Sequence, residues 1–208
     1  MRIISGEFRG RRLLAPEGED ITRPLPDRVR TALFNMLVGH FEGEAFYDAF
    51  AGTGSFGLEA LSRGAARCVF IEKDRTALGV LKKNIELCRA DDRAEVFQGD
   101  ALGAGALSRC PRPVHIIMFD PPYAMLEEPV PRKRAFDAFA RLVECLDDTG
   151  FAILRTPWPF VDHVEREDRP GEFTKVPVPL EIAGARGPET HAYGSTAVHW
   201  YVRATLRP

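Results

Sequence analysis

The sequence predicts an α/β fold with a mostly parallel β-sheet that is covered by helices on both faces. Five short apolar runs alternate with segments of helical periodicity between residues 45 and 154. Alternation at this spacing is typical of βαβ units with a buried parallel sheet. Four runs lead into a carboxylate, at Asp48, Glu72, Asp100 and Asp120. Ligands of such sheets bind beyond the carboxyl ends of the strands, so these acids predict a site, although acids also cap helices there.

Residues 1–24 are predicted to form a small β-hairpin extension, ahead of a main domain of residues 25–208. Residues 2–5 and 12–14 resemble short strands, and Gly6 and Gly10 lie between them. A helix is expected to start within residues 24–27, where proline precedes an acid. Its apolar stripe runs from Val29 to Leu37, and Gly39 ends it.

The apolar runs of the main domain are the predicted strands, and the periodic segments between them are the predicted helices. The strands are residues 45–47, 68–71, 94–97, 114–119 and 151–154, and the helices are residues 57–63, 75–88 and 132–146. Residues 174–179 and 197–202 are expected to pair as an antiparallel hairpin at one edge of the sheet. Residues 163–165 are too polar to be assigned.

Composition excludes several classes of protein. The 208 residues are 45% hydrophobic and 28% charged, which excludes a disordered chain and suits one domain with a small appendage. No apolar run approaches the roughly 18–20 residues of a membrane span, and no secretory signal is present at the start, so a cytoplasmic protein is expected. The four cysteines and five histidines show no ligand spacing, so no metal is expected.

Arginines are concentrated near the N-terminus, although the net charge of the chain is −2. Arg2, Arg9, Arg11 and Arg12 fall within the first twelve residues. Most short basic runs are solvated faces, but a clustered arginine surface is also a hint of phosphate contact.

Residues 48–57 read DAFAGTGSFG and lie between a predicted strand and a predicted helix. Gly52, Gly54 and Gly57 fit the dinucleotide fingerprint G-x-G-x-x-G, and Glu72 lies twenty residues beyond Gly52, where a ribose-binding acid belongs. The loop therefore predicts a cofactor that contains a nucleoside, either NAD or S-adenosylmethionine. S-adenosylmethionine is favoured because little chain remains for a second half-domain, and because its ammonium group suits an acid such as Asp48.

The tetrapeptide of Asp120, Pro121, Pro122 and Tyr123 follows the most apolar predicted strand. Two prolines remove two backbone donors and stiffen the loop. The carboxylate and the Pro121 carbonyl can accept the hydrogens of an exocyclic amine and direct its lone pair at a methyl donor, while Tyr123 stacks on the base. An isolated Pro-Pro pair is more often a simple turn, but here it follows the glycine loop and an acid.

At this point the chain resembles the bacterial 16S rRNA guanine-N2 methyltransferase family, which uses S-adenosylmethionine. The resemblance rests on short motifs that occur in order over nearly the whole chain. These are RIISG at residue 2, GRRL at 10, RP at 23, DRVR at 27, LFN at 33, FAGTGSFGLEALSRGA at 50 and YGSTA at 193. Leu25 and Thr31 depart from the family pattern and put substrate docking in doubt more than chemistry.

The resemblance implies the class I S-adenosylmethionine methyltransferase fold, with a seven-stranded sheet, in a monomer that acts on the 30S subunit or its assembly intermediate. The residues it implies for the cofactor are Asn35, Asp48, Phe50, Ala51, Gly52, Thr53, Gly54, Ser55, Gly57, Glu72, Lys73, Asp100 and Ala101. Asp120, Pro121, Pro122 and Tyr123 would position guanine N2. The residues it implies for the substrate RNA are Arg2, Arg9, Arg11, Arg12, Arg28 and Arg30.

Other functions share part of this pattern. An N6-adenine or other amino-methyltransferase on DNA or another RNA would use the same two loops, and only the N-terminal motifs separate it. A protein-glutamine methyltransferase is disfavoured because its class has Asn in place of Asp120. An NAD-dependent oxidoreductase would need a catalytic Tyr-Lys, Cys or His pair at a strand end, and none is found. A non-catalytic RNA-binding assembly factor is disfavoured by the intact acids.

Overall fold

A seven-stranded β-sheet forms the centre of the protein in the computed structural model, which describes residues 1–16 and 27–204. The strands are β1 (Ala45–Asp48), β2 (Arg67–Glu72), β3 (Ala94–Gln98), β4 (Val114–Phe119), β5 (Leu146–Pro157), β6 (Val161–Arg166), β7 (Arg169–Pro177), β8 (Ala185–Tyr193) and β9 (Thr196–Arg203). The helices are α1 (Asp27–Met36), α2 (Ser55–Ser62), α3 (Arg75–Cys88), α4 (Ala104–Arg109), α5 (Tyr123–Glu127) and α6 (Pro129–Val143). None of the helices described is long and apolar enough to cross a membrane.

The strand order in the large sheet is β3-β2-β1-β4-β5-β9-β8. Strands β1 to β5 are parallel to one another, whereas β9 runs antiparallel to both β5 and β8. Strand β1 therefore has β2 on one side and β4 on the other, which is the point where the chain reverses its direction of winding. Ligands of open α/β sheets bind at such a point, beyond the carboxyl ends of the strands.

The central part of the sheet is buried on both faces, as its continuous apolar strands predict, whereas the edge strands β3 and β8 have no fully buried residue. Phe46 packs into a core with α1, α2 and α3, whereas its neighbour Tyr47 packs into a second core with α4 and α6. Successive side chains of a strand point to opposite faces, so two adjacent buried aromatics need a layer of helices on each side.

The helices that the sequence predicts are present, with small changes at their ends. Helix α3 spans residues 75–88, as its strong apolar periodicity predicts. Helix α6 starts three residues before the predicted 132, because Pro129 occupies its first turn, and β5 already begins at Leu146. The expected start of α1 within residues 24–26 lies outside the described residues. The short helices α4 and α5 are absent from the sequence prediction.

The two late strands are present as β7 and β9, but the expectation that they pair with each other is wrong. Residues 174–179 and 197–202 do not pair, because β7 pairs with β6 in a separate two-stranded sheet, while β9 pairs with β5 and β8. All nine residues of β7 are exposed, so that strand cannot be part of a buried sheet edge. The sequence does not predict strand β8, because it is a polar edge strand that is interrupted by a register shift between Arg186 and Glu189. The unassigned residues 163–165 belong to β6.

The N-terminal hairpin has one antiparallel bridge, between Arg2 and Arg12, and three further backbone hydrogen bonds join residues 1–3 to residues 10–13. Helix α2 binds the same backbone: the carboxylate of Glu59 accepts hydrogen bonds from the amides of Ile4 (2.7 Å) and Ser5 (3.1 Å). Ile3, Phe8 and Leu13 from this segment are buried in the same core as α1 and α2. The expected domain boundary between residues 24 and 25 lies outside the described residues.

Candidate active site

The glycine loop leads from β1 into α2 at the carboxyl edge of the sheet. Gly52 and Gly54 have φ values of 53° and 88°, in the left-handed region that favours glycine. A side chain at Gly54 would also collide with Leu81 of α3, because its Cβ would lie 2.5 Å from Leu81 Cδ1. Asn84 fixes the loop from below, since its Nδ2 donates to the carbonyl of Thr53 at 2.9 Å.

Gly57 serves packing between the helix and the sheet. A Cβ at this position would lie 2.2 Å from the Phe70 ring and 2.5 Å from Cys68 Sγ, both on β2. Only glycine lets the first turn of α2 approach β2 this closely. The third glycine of the fingerprint therefore sets the distance between helix and strand, in agreement with the general role of that position.

Glu72 closes the glycine loop from the end of β2. Its Oε2 accepts the Gly52 amide at 2.7 Å and its Oε1 accepts the Asp74 amide at 2.7 Å. A carboxylate oxygen can accept more than one hydrogen bond, so the half-exposed Glu72 retains acceptor capacity for the hydroxyls of a ribose.

Asp48 is fully buried at the start of the loop. Its Oδ2 accepts the Gly57 amide at 3.1 Å, and its Oδ1 has no hydrogen-bond partner among the described residues. Burial is the main cause that raises the pKa of this carboxyl to about 8. A buried acceptor without a partner fits a cationic amino group, and the glycine cradle with Glu72 fits a nucleoside. The residues present therefore fit S-adenosylmethionine.

Asp120 lies at the end of β4 and forms an ion pair with Arg155 of β5. Arg155 Nε donates to Asp120 Oδ1 at 2.5 Å, and both side chains are nearly buried. The guanidinium also lies over the Tyr123 ring at 4.9 Å from its centroid and donates to the Tyr123 hydroxyl at 3.1 Å. That hydroxyl donates to Thr196 Oγ1 at 2.8 Å, so two hydrogen bonds hold the hydroxyl end of the side chain.

All the remaining residues expected at the cofactor except Asn35 lie at this edge or beside it; Asn35 follows Phe34, whose carbonyl accepts a hydrogen bond from Arg63 at the far end of α2. Asp100 follows β3, is exposed and accepts the Leu102 amide at 3.0 Å, while Ala101 is buried. Phe50 packs edge-to-face on Phe119 at 4.9 Å, and Lys73 is exposed. Ala51 donates its amide to Ile71, and Ser55 begins α2. Asn35 is exposed near the end of α1.

The six arginines expected to contact RNA do not share one environment. Arg2, Arg9, Arg12 and Arg28 are exposed. Arg11 is half-buried, since it lies over the Phe8 ring at 5.1 Å and donates to the Leu87 carbonyl at 2.8 Å. Arg30 is only 1% exposed and donates to the Arg2 carbonyl at 2.5 Å, so the structure places it inside the protein and not at the mouth of the site.

The fold also brings together a group that sequence spacing does not reveal. Ligand atoms of Glu44, His115 and Asp147 lie within 4.8 Å of one another at the opposite edge of the sheet. Hydrogen bonds account for both ring nitrogens of His115, because Nδ1 lies 2.8 Å from Asp147 and Nε2 lies 2.9 Å from His40. These hydrogen-bonded side chains therefore join β4 to β5.

Three further residues at the site are not identified by sequence reasoning. Arg155 directly follows a predicted strand, so its position at the carboxyl edge, among acids, is a signal that could have found it. Thr196 belongs to the YGSTA motif at residue 193, to which the sequence assigns no role. No sequence pattern could have identified Asn84, because it lies inside a helix and its role depends on which segments pack against it.

Comparison with known proteins identifies the family of this chain. The model of the protein family described as "Conserved hypothetical protein 95" matches residues 1–156. YlbH of Bacillus subtilis is 40% identical over 74% of this chain and 80% of its own length. Ribosomal RNA small subunit methyltransferase D of Escherichia coli is 40% identical over 62% of this chain and 65% of its own length.

Solved structures have the same fold. The structure of yhhF from Escherichia coli, which is described as a methyltransferase, is 30% identical, with a TM-score of 0.73 over 99% of both chains. An RNA methyltransferase from Salinibacter ruber, solved with S-adenosyl-L-homocysteine, is 17% identical, with a TM-score of 0.55 over 89% of this chain and 96% of its own, and supports the fold alone. The fold class and the family resemblance predicted from the sequence are confirmed. The chain belongs to the family described as "Conserved hypothetical protein 95", within the class I S-adenosylmethionine-dependent methyltransferases.

Proposed function

We propose that this chain methylates the exocyclic N2 amine of a guanine in 16S rRNA, on the 30S subunit or an assembly intermediate, and that it acts as a monomer in the cytoplasm. Methylation of rRNA is supported by the identity to the Escherichia coli small subunit methyltransferase D. The choice of guanine N2 is supported by the N-terminal motifs that the family shares.

One observation carries the chemistry: an acceptor for an amine lies next to the cofactor loop. Strands β1 and β4 are neighbours, and Asp48 pairs in register with Met118. Asp120, two residues further on, is therefore adjacent to the start of the glycine loop. The two carboxylates are close enough that Asp120 contributes to the raised pKa of Asp48.

The chain's own residues would present the amine. Asp120 and the Pro121 carbonyl accept the two hydrogens of the amine, which directs its lone pair towards the cofactor. Tyr123 offers a ring on which the base stacks after it leaves its own stack. When bound, S-adenosylmethionine would supply the methyl group from its sulfonium and be left as S-adenosylhomocysteine, while the proton that the amine loses goes to Asp120 or to water. Most of the rate would come from this alignment of the two reactants.

The N-terminal segment offers a surface for the RNA backbone. Arg2 and Arg9 line a cleft of about 310 Å³ together with Ile4, Gly10 and Thr31. Neither guanidinium forms an ion pair with a described residue, so both are available to phosphate oxygens. Phosphate contacts by arginine supply affinity that falls steeply with salt.

The first experiment is methyl transfer from labelled S-adenosylmethionine to 30S subunits that lack rRNA modifications, followed by nucleoside mass spectrometry. N2-methylguanosine is expected on the particle, with naked 16S rRNA and adenine-rich DNA as comparison substrates. Methyladenine on DNA would favour the N6-adenine alternative, and tight cofactor binding without any transfer would favour a non-catalytic factor. Asp120→Ala should abolish transfer and change cofactor affinity by less than about tenfold, because Asp120 acts on the amine.

The RNA surface is tested by salt dependence. Arg2→Ala with Arg9→Ala should weaken RNA binding and reduce the slope of log affinity against log salt by about 0.7–0.9 for each phosphate that is no longer neutralised. Arg11→Ala is the matched control, and we expect a smaller change because its guanidinium is held by Phe8 and Leu87. An unchanged slope in the double variant would contradict the proposal that RNA phosphates bind this surface.

A further inference from the structure

Arg155 of β5 is a cation that contacts Asp120 and Tyr123 of the amine-binding loop (residues 120–123), and the transfer step described above does not use it. Its guanidinium is 13% exposed and the Asp120 carboxylate is 12% exposed, so water screens their ion pair little. The arginine forms three contacts there: to Asp120 Oδ1 at 2.5 Å, to the Tyr123 hydroxyl at 3.1 Å and to the face of the Tyr123 ring at 4.9 Å. A planar guanidinium suits this combination of stacking and hydrogen bonding, whereas a lysine ammonium does not.

The contact with Asp120 leaves the two carboxylate oxygens unequal. Oδ1 is held by Arg155, whereas Oδ2 accepts no hydrogen bond from the described part of the chain. Asp120 Oδ2 is therefore the oxygen that an incoming amine would bind, and Arg155 fixes its orientation.

The contact with Tyr123 leaves the two faces of its ring unequal as well. Arg155 covers one face, so a base can stack only on the other. The ring plane is fixed because its hydroxyl donates to Thr196 Oγ1 at 2.8 Å, and Thr196 Oγ1 donates to the Thr156 carbonyl at 3.2 Å. The loop is therefore tied to β5 and β9 through named hydrogen bonds.

We propose that Arg155 is a positioning residue for methyl transfer, which fixes the acceptor oxygen of Asp120 and the stacking face of Tyr123. This inference rests on the proposed function and adds to it a residue outside the motifs that define the site. Arg155 itself stays behind the loop and acts on the amine through Asp120 and Tyr123.

A positioning cation has an electrostatic consequence that a merely structural residue lacks. The ionised carboxylate of Asp120 is the better acceptor for the amine, because protonation would turn its unpaired oxygen into an O–H donor. Burial raises the pKa of Asp120 and Arg155 opposes that rise. The other ionisable groups near it are Asp48, whose negative charge would also raise the pKa, and Tyr123. Loss of Arg155 should therefore raise the pKa of Asp120 further, so that activity is lost at a higher pH as the solution is acidified.

The test compares Arg155→Met and Arg155→Lys with the wild-type protein. Arg203→Met is the control, because Arg203 also pairs with an aspartate, Asp148, but away from the amine-binding loop. In Arg155→Met we expect kcat to fall by about 100-fold, which is typical of a misplaced reactant, with affinity for S-adenosylhomocysteine unchanged within about threefold. The acidic limb of the pH profile should move up by about 1–3 pH units. Arg155→Lys should return the acidic limb towards its wild-type pH but should restore only part of kcat.

A second measurement needs no RNA. The ¹³C carboxyl resonance of Asp120, assigned with Asp120→Asn, should titrate about 1–3 pH units higher in Arg155→Met than in the wild type and return towards the wild-type midpoint in Arg155→Lys. An unchanged midpoint, or a wild-type kcat, in the folded Arg155→Met protein would overturn the proposal. Because the titration uses protein alone, it decides the role of Arg155 even if the proposed rRNA substrate is wrong. A wild-type protein that fails to methylate any substrate would overturn the proposed function instead.

Discussion

The carboxyl of Asp48 should make cofactor affinity depend on pH, and Asp48→Asn should remove that dependence. This side chain is 0% exposed, and its Oδ1 has no hydrogen-bond partner in residues 1–16 and 27–204. Burial first, and then the nearby charges of Asp120 and Glu72, raise its pKa from 3.8 to about 8, against the hydrogen bond from Gly57. The carboxyl is therefore mostly protonated at pH 7 when no cation lies beside it.

The size of the effect follows from that pKa. An ammonium group binds well beside Asp48 only if the carboxyl is ionised, so the proton must leave on binding. One pH unit below the pKa, its removal costs about 1.4 kcal/mol, which is about tenfold in affinity. The association constant should thus rise by about tenfold per pH unit up to pH 8 and level off above it.

Calorimetric titration with S-adenosylhomocysteine, in two buffers of different ionisation enthalpy, measures both the affinity and the protons released. At pH 7 the wild-type protein should release close to one proton, whereas Asp48→Asn should release none and show a flat pH profile. Asp137→Asn is a suitable control because Asp137 is an exposed acid paired with Lys133. The same pH dependence in the wild type and in Asp48→Asn would refute this role of the carboxyl.

The same pKa predicts how the stability of the cofactor-free protein varies with pH. A carboxyl whose pKa is higher in the folded state binds its proton more tightly there, so its stabilising effect is complete below pH 3.8 and is lost as the pH rises towards 8. The loss over that range is about 6 kcal/mol, from roughly four pH units at about 1.4 kcal/mol each. In denaturant titrations Asp48→Asn should lack this decline, and a parallel decline in both proteins would contradict it.

Two further predictions concern how the site is supported. Glu59→Gln should lower the free energy of unfolding by about 3 kcal/mol, because the buried carboxylate accepts a hydrogen bond from the Ile4 amide at 2.7 Å and pairs with Arg63 at 2.8 Å. The control Glu95→Gln changes an exposed ion pair and should lower it by less than about 1 kcal/mol. Equal losses for the two variants in urea denaturation would refute this contrast. Gly57→Ala should lower the free energy of unfolding by about 1–3 kcal/mol through its clash with β2, and an unchanged thermal midpoint would show that the helix is not packed as described.

Much of the sheet could be predicted because its signal is local. Strand β4 has six consecutive buried residues, and an apolar run of that length between turn residues has few other stable conformations. Helix α3 is similar, since its apolar periodicity and its Asp74 N-cap both lie within the segment. Strand β8 could not be predicted in this way, because a polar edge strand differs little from a loop until its neighbour is known.

The same distinction between local and long-range signals applies to the candidate site. The glycine loop, Glu72 and the tetrapeptide starting at Asp120 are contiguous motifs, so their spacing alone placed them at strand ends. The separation of the arginines into exposed Arg9 and buried Arg30 was beyond the sequence, because it depends on how the N-terminal segment folds against α1 and α2.

Short motifs and periodicity in the sequence predict the α/β class, the family, the cofactor and the edge of the sheet at which the candidate site lies. The tertiary structure, by contrast, brings Arg155 to Asp120 and Thr196 to Tyr123, pairs that lie 35 and 73 residues apart in the chain. It also decided that Asn84 supports the glycine loop. Contacts of this kind depend on strand order and register, which are fixed when distant apolar surfaces pack and not by any local segment.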